Sequence, residues 1–410
     1  MALAQTATSR FPTAFAEVAR PPVEQPDAYW AHPEGGLRAW AFGAAEVREG
    51  SSLRAVLQGL HTPPRLPESM PGPWFGAAAF SGEVGPDWHG FSPLRFTLPR
   101  LLAWSEGGRH FAAAFGEGAE KRLSAARRRL DADGHDGVRF GAGRVRIVPR
   151  PQERAHWDAL VRRALDAISR GALDKVVLAR AIDVEADAPL DPGALLRALE
   201  SRYPTCRAFL VRGEGGAFLG ATPEILCRVD GDRIEADALA GSARPEDAQA
   251  LPESQKDLRE HQWVIDHIVG ALSGVAVDVR RADRPGLRAL ANVVHLHTPI
   301  RARLARGHGI ADVAAALHPT PAVGGVPSAA ALRFLADHES LDRGLYAGVV
   351  GWVGGGRAEL LVALRSALVR GNHARLFAGA GVVAGSSPDA EWEETELKAR
   401  ALLDALGAAP

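Results

Sequence analysis

Two hydrophobic periodicities alternate along the chain. Short apolar runs bounded by Gly and Pro predict strands, and apolar positions three and four apart predict helices. The early strand segments are Leu37 to Gly43, Trp74 to Gly82, Phe96 to Gly108 and HFAAAFG, followed by a helix near Ala119 to Leu130. DADGHDG and the segment around Val148, Pro149 and Pro151 mark a boundary, so that 1–150 reads as a supporting region and 151–406 as the catalytic region. From Glu153 the pattern is denser. Trp157, Leu160, Val161, Ala164, Leu165 and Ile168 recur at helical spacing, and a strand then opens at Lys175. After a helix near Gly193 to Ser201, RAFLVRG and AFLGATPEIL form adjacent strands, and Asp230-Gly231 turns a hairpin. A helix spans Ser254 to Leu272. VAVDVRR and ANVVHLHTPIRARL are strands, Ile310 to Leu317 is a helix, LHPTPAVGGVP is a loop, and Ser328 caps another helix. GLYAGVVGWVG, ELLVALRSALV and ARLFAGAGVV close the strands. Long strands interleaved with helices, with hairpins among them, predict an α+β fold of large mixed or antiparallel sheets layered with helices, not a doubly wound sheet.

The C-terminal stretch Leu376 to Leu403 concentrates polar chemistry. Gly379, Gly381 and Gly385 allow close approach of a ligand to the backbone, and Ser386, Ser387 and Asp389 supply capping oxygens for a helix with Pro388 at its start. Along that helix Glu391, Glu394 and Lys398 fall at i, i+3 and i+7 and share a face. Such oxygen ligands suit a hard cation like magnesium; a solvated face with a Glu394–Lys398 pair is the alternative. Glu260 on a second helix could hold such a cation from the other side. Glu224 ends a strand behind Pro223, which stiffens its backbone. Lys175 opens the apolar strand VVLA, where desolvation would lower its pKa and make it a usable base. A base on one side and a carboxylic acid on the other suit adding water to one carbon while hydroxide leaves another. For His295 and His297 in HLHTP, a satisfied sheet histidine is the alternative to catalysis.

Composition sharpens this picture at two points. The 48 basic and 49 acidic residues leave a net formal charge of -1, which argues against nucleic acid as a partner. Lysine occurs only at 121, 175, 256 and 398, so 44 of the basic residues are arginine. A lysine in such a chain is a candidate for work arginine cannot do, such as losing a proton. Cys206 and Cys227 show no metal or redox spacing and read as buried small hydrophobes of a reduced compartment. MALAQTATSRFPTAFAEVARPP lacks the layout of a secretion signal, and no long uncharged apolar run exists, so a cytoplasmic protein without a membrane partner is expected.

Nine segments, in order, resemble the chorismate-utilising enzymes, and among them the isochorismate synthases. They are KVVLAR (Lys175 to Arg180), GATPEIL (Gly220 to Leu226), LAGSARP (Leu239 to Pro245), KDLREH (Lys256 to His261), HLHTP (His295 to Pro299), LHPTPAVGG (Leu317 to Gly325), YAGVVGW (Tyr346 to Trp352), LVALRSA (Leu361 to Ala367) and GAGVVAGSSPDAEWEETELK (Gly379 to Lys398). The resemblance covers the chain from about residue 153 onward and is loose before it. It implies the chorismate-utilising fold, a sandwich of large sheets, and Mg2+ between Glu260 and Glu394 with Glu391 nearby. Chorismate's ring carboxylate would be a further ligand. It implies Lys175 as the base for water attack at C2, Glu224 as the acid for the leaving C4 hydroxyl, and His295 beside the substrate. Arg365 and Lys398 would meet carboxylates, the Gly379, Ala380 and Gly381 amides would add donors, the Gly241-Ser242 turn would pack by the ring, and Ala322, Tyr346 and Leu364 would complete the substrate site. Anthranilate and aminodeoxychorismate synthases, the ammonia-using alternative, draw it from an amidotransferase partner, and anthranilate synthases lack a lysine at the position of Lys175. Lysine there favours water as the nucleophile and no such partner. Salicylate synthases, the other alternative, tend to carry threonine where Ala322 stands, so Ala322 favours stopping at isochorismate. Val323 stands where leucine is commoner, a modest change of packing. The family leans to monomers, and its product feeds menaquinone, catechol siderophores or salicylate.

Overall fold

The structure, a computed structural model, describes residues 13–22, 24–63, 66–67, 69–131, 144–291 and 293–408. The N-terminal MALAQTATSRFP segment, and DADGHDG beyond its first residue, lie outside these. Among the described residues the strands form two sheets, one of twelve and one of ten, with every pairing antiparallel. Helices surround them, so the expected α+β layering of large antiparallel sheets is what the chain adopts. The sheets share one core: Trp30 of the larger meets Trp352 of the smaller edge-on at 6.2 Å, and Phe209 and Phe218 join Leu360 and Val349 in the same apolar cluster.

Both sheets are built across the expected boundary. In the larger, Ala28–His32 pairs with Arg207–Gly213, and in the smaller, Trp74–Ala78 pairs with Val349–Gly354. Trp88, fully buried, stacks on Phe377, and Phe377 in turn stacks on Tyr346, so the N-terminal segment supports an aromatic column that ends beyond that boundary.

Three long elements position the chemistry. Lys175–Ala186 and His373–Val383 pair along their whole length in the larger sheet, from Lys175 opposite Val383 to Glu185 opposite His373. The helix Pro388–Leu406 follows directly and packs back on His373–Val383; Ser387 caps it by accepting from the Ala390 amide, and Gly407 ends it with φ +69. The helix Gln255–Ser273, capped by Ser254, buries Val264, Ile265, Ile268 and Leu272 against the smaller sheet.

The chain departs from the sequence expectation where an apolar run turns or changes sheet. AFLGATPEIL is two strands, Gly216–Thr222 in the larger sheet and Ile225–Asp230 in the smaller. Phe96 to Gly108 is not one strand: at Pro99 and Arg100 the chain leaves Leu94–Leu98 in the smaller sheet for Leu101–Glu106 in the larger. ELLVALRSALV is likewise two strands, Arg357–Val362 and Ser366–Arg370, one in each sheet. GLYAGVVGWVG is a strand only over Val349–Gly354, because Gly344 and Ala347 take positive φ and fold the preceding residues into turns. Ser328 is the first residue of its helix, and Pro327 holds the capping position.

Candidate active site

Two neighbouring chain crossings between the sheets create a cavity. In one, Thr222 ends a strand of the larger sheet and Ile225 begins one of the smaller, leaving Pro223 and Glu224 in the passage. In the other, the chain passes from Val362 to Ser366 through Leu364 and Arg365, the latter at φ +49. The crossings are bonded side by side. The Val362 amide donates to Glu224 O at 3.1 Å, Thr222 Oγ1 to Val362 O at 2.7 Å, and the Ala221 amide to Arg365 O at 3.2 Å. Ser366–Arg370 pairs with His373–Val383 only as far as Leu376, so the edge from Phe377 onward is free of that neighbour, and there the cavity lies.

Lys175, Glu224, Glu260, His295, Glu394 and Lys398 all line this cavity. So do Gly241, Ser242, Ala322, Tyr346, Leu364, Arg365, Gly379 and Gly381. Two expected residues do not. Ala380, between Gly379 and Gly381 on an alternating strand, points its side chain to the opposite face and is buried in the core. Glu391 is turned aside and pairs with Lys256 Nζ at 3.2 Å; burial and nearby Glu394 raise its carboxyl, with Lys256 opposing.

Glu224 is buried, and desolvation pushes its carboxyl up to about 7, against the pull of Lys175 and of Thr320, whose Oγ1 lies 3.5 Å from Oε1. Lys175, 1% exposed, donates from Nζ to Glu260 Oε1 at 2.9 Å. Burial alone would raise Glu260, yet Lys175, with Lys398 and Lys256 behind it, holds it below its ordinary value as an anion. Lys398 Nζ donates to Gly379 O at 3.0 Å and pairs with Glu394. Gly379 and Gly381 are required by closeness: a Cβ on Gly381 would stand 2.8 Å from Glu260 Oε1, and one on Gly379 would stand 2.9 Å from the Tyr346 hydroxyl.

His295 is neutral, held well below its usual range by burial and by Arg365 and Lys398. Arg365 Nη2 approaches its Nε2 at 3.4 Å, and Ser242 Oγ lies 2.9 Å from its Nδ1, with Gly241 O at 3.3 Å. A guanidinium can only donate, so Nε2 is the acceptor and Nδ1 carries the hydrogen toward Gly241 and Ser242. The left-handed Gly241 (φ +73) makes the bulge that sets Ser242 opposite His295. His297, by contrast, is satisfied by Asp237 at 2.9 Å and stays outside the cavity lining. Arg365 pairs with no carboxylate among the described residues, which leaves its remaining donors for an anion in the cavity.

Sequence reasoning missed Arg343, which also lines the cavity. One arginine among 44 carries no signal by type; its place three residues before Tyr346, four after Glu339, was the available one.

The two carboxylates Glu260 and Glu394 offer oxygen donors in one cavity, although among the described residues no three His, Cys, Asp or Glu side chains gather as a metal cluster. A pair fits Mg2+, which commonly takes one or two protein carboxylates and completes its shell from substrate and water. Among the described residues no helix is long and apolar enough to cross a membrane.

The profile of the family described as "Chorismate binding enzyme" matches residues 2–407. The chain is 44% identical over 266 residues to the "Salicylate biosynthesis isochorismate synthase" of Pseudomonas aeruginosa, a match covering 63% of this chain and 56% of that protein. It is 31% identical to "Isochorismate synthase MenF" of Bacillus subtilis over 92% of this chain and 87% of the relative. The solved structure of MenF, described as the menaquinone-specific isochorismate synthase from Escherichia coli, superposes with a TM-score of 0.79 at 28% identity, covering 98% of this chain and 97% of that one.

Proposed function

Because the chain belongs to the chorismate binding enzyme family, we propose that it is an isochorismate synthase, isomerising chorismate by adding water at C2 and expelling the C4 hydroxyl. One observation carries the reading: Lys175 and Glu224 line a single cavity, and Glu224 is held near the pKa at which a carboxyl can act as an acid at neutral pH.

In this reaction Lys175, released from its ion pair with Glu260, takes a proton from water as the hydroxide oxygen bonds to C2. The ring double bonds shift, the C4–O bond breaks, and protonated Glu224 supplies the proton with which that hydroxyl leaves as water. One water enters and one departs, so the step is an isomerisation. Arg365 and Lys398 hold the substrate carboxylates, and His295 serves the site by fixing Arg365 through Nε2. Glu260 and Glu394 would hold Mg2+. When bound, it would neutralise these carboxylates, loosen Glu260 from Lys175 and take the ring carboxylate as a ligand. Glu391 is left to steady Lys256.

Incubating the purified chain with chorismate and Mg2+ and separating the products tests the proposal. Isochorismate alone is expected. Salicylate with stoichiometric pyruvate would make the chain a salicylate synthase, and turnover only with added ammonia would make it an amidotransferase-dependent relative.

A further inference from the structure

Arg343 lines the catalytic cavity, yet its charge is not offered to it. Its guanidinium is buried and donates from Nη2 to Val177 O at 2.7 Å and to Glu339 Oε2 at 2.8 Å, from Nη1 to Val323 O at 2.9 Å, and from Nε to Glu339 Oε1 at 2.5 Å. Four of the five guanidinium hydrogens are thereby engaged, unlike those of Arg365. Glu339 Oε2 also accepts the Ala179 amide at 2.8 Å. The Lys175–Ala186 strand has Gly325–Val326 as its outer partner for only two residues, Lys175 and Val176. Beyond them the Val177 amide still bonds Gly324 O at 2.8 Å, and the Val177 carbonyl and the Ala179 amide are taken by this side-chain fork in place of a strand. The same guanidinium stands 4.4 Å over the Phe80 ring and grips the carbonyl of Val323, in the loop that carries Ala322 and Thr320. That loop returns to the acid, since Thr320 Oγ1 is 3.5 Å from Glu224 Oε1.

We infer that Arg343, oriented by Glu339, is a positioning residue for the reaction: it fixes the strand bearing the base Lys175 against the loop that touches the acid Glu224, and so sets their relative placement. The inference rests on the acid–base reading above. Arg343 acts through two backbone carbonyls and touches neither reacting group, so its loss misplaces the pair without removing a substrate contact.

Arg343→Lys keeps the charge but cannot span both carbonyls and both carboxylate oxygens. Misplacement of this kind lowers kcat by about 10- to 100-fold with KM for chorismate within about threefold of the parent. A second readout is the pH profile. Lys175, Asp237, Lys398 and the Tyr346 hydroxyl also face Glu224, and none of them is bonded by Arg343. Loosening Thr320 alone removes a hydrogen bond that lowers Glu224, so the inflection of kcat that reports Glu224 should move upward in Arg343→Lys, as it should in Thr320→Val. Glu339→Gln is the second variant, should Arg343→Lys not fold; it leaves the arginine in place with a weaker orienter, and a fall in kcat of about fivefold or more is expected. A folded variant, by circular dichroism, with parental kcat and an unmoved Glu224 inflection overturns the inference. So does a loss confined to KM, which would make Arg343 a substrate ligand. The parent is assayed alongside: a parent that makes no isochorismate fails the functional reading, and an active parent with equally active variants fails this inference.

Discussion

Replacing Glu224 with glutamine should abolish most turnover and, at neutral pH, make the protein more stable. The carboxyl titrates at about 7 in the fold against an ordinary 4.5, because burial penalises its charge. A carboxyl raised by folding binds its proton more tightly in the folded state. Its stabilising contribution is complete below about 4.5 and is lost as pH rises to about 7. The interval, at about 1.4 kcal/mol per pH unit, amounts to about 3 kcal/mol missing from the parent above pH 7. Glutamine does not titrate, while every other group titrates alike in both proteins. The difference in unfolding free energy, variant minus parent, should therefore grow by about 3 kcal/mol between pH 4.5 and 7 and then level off. Urea unfolding at pH 5, 6, 7 and 8, with a chelator present to remove metal linkage, measures it. Parallel stability curves for the two proteins would refute the reasoning, since they would mean that Glu224 ionises in the fold as it does in water.

Three other outcomes follow from the same geometry. The kcat–pH profile of the parent should carry an inflection near pH 7 that belongs to Glu224; a profile with no inflection between pH 6 and 8 would count against Glu224 as the acid. Lys175→Met should lose turnover and about 3 kcal/mol of stability, since Glu260 is left as an unpaired buried anion, and Mg2+ should raise its melting temperature more than the parent's; an equal gain in both would separate Glu260 from the metal. Gly381→Ala puts a Cβ 2.8 Å from Glu260 Oε1 and 3.2 Å from Lys175 Cε, so Mg2+ affinity by calorimetry should drop about tenfold, and unchanged affinity would show that Glu260 has room to move.

Local pattern was a good guide wherever an element runs to its own natural end. The strand opening at Lys175, the helix Gln255–Ser273 and the final helix with its Ser387 cap follow directly from apolar spacing and capping residues. It was a poor guide where an apolar run passes from one sheet to the other. ELLVALRSALV stays hydrophobic throughout because both strands are buried, and nothing in its periodicity marks Arg365 as the turning point. Those crossings build the cavity, so its shape was the least visible feature in the sequence. Spacing alone also could not aim the C-terminal acids. Glu391 and Glu394 share a helix face, but a three-residue step rotates them enough that one enters the cavity while the other meets Lys256. Ala380 follows the same logic on a strand, where its neighbours on either side line the cavity and it faces the core.

The central claim is that the cavity adds a solvent oxygen to the ring while another oxygen departs. A single turnover of chorismate with Mg2+ in oxygen-18 water, read by mass spectrometry, tests it directly. Isochorismate carrying one heavy oxygen, located at C2 by fragmentation, is the predicted result; unlabelled isochorismate would mean that the hydroxyl migrates within the ring and that Lys175 and Glu224 do not divide the work between incoming and outgoing water.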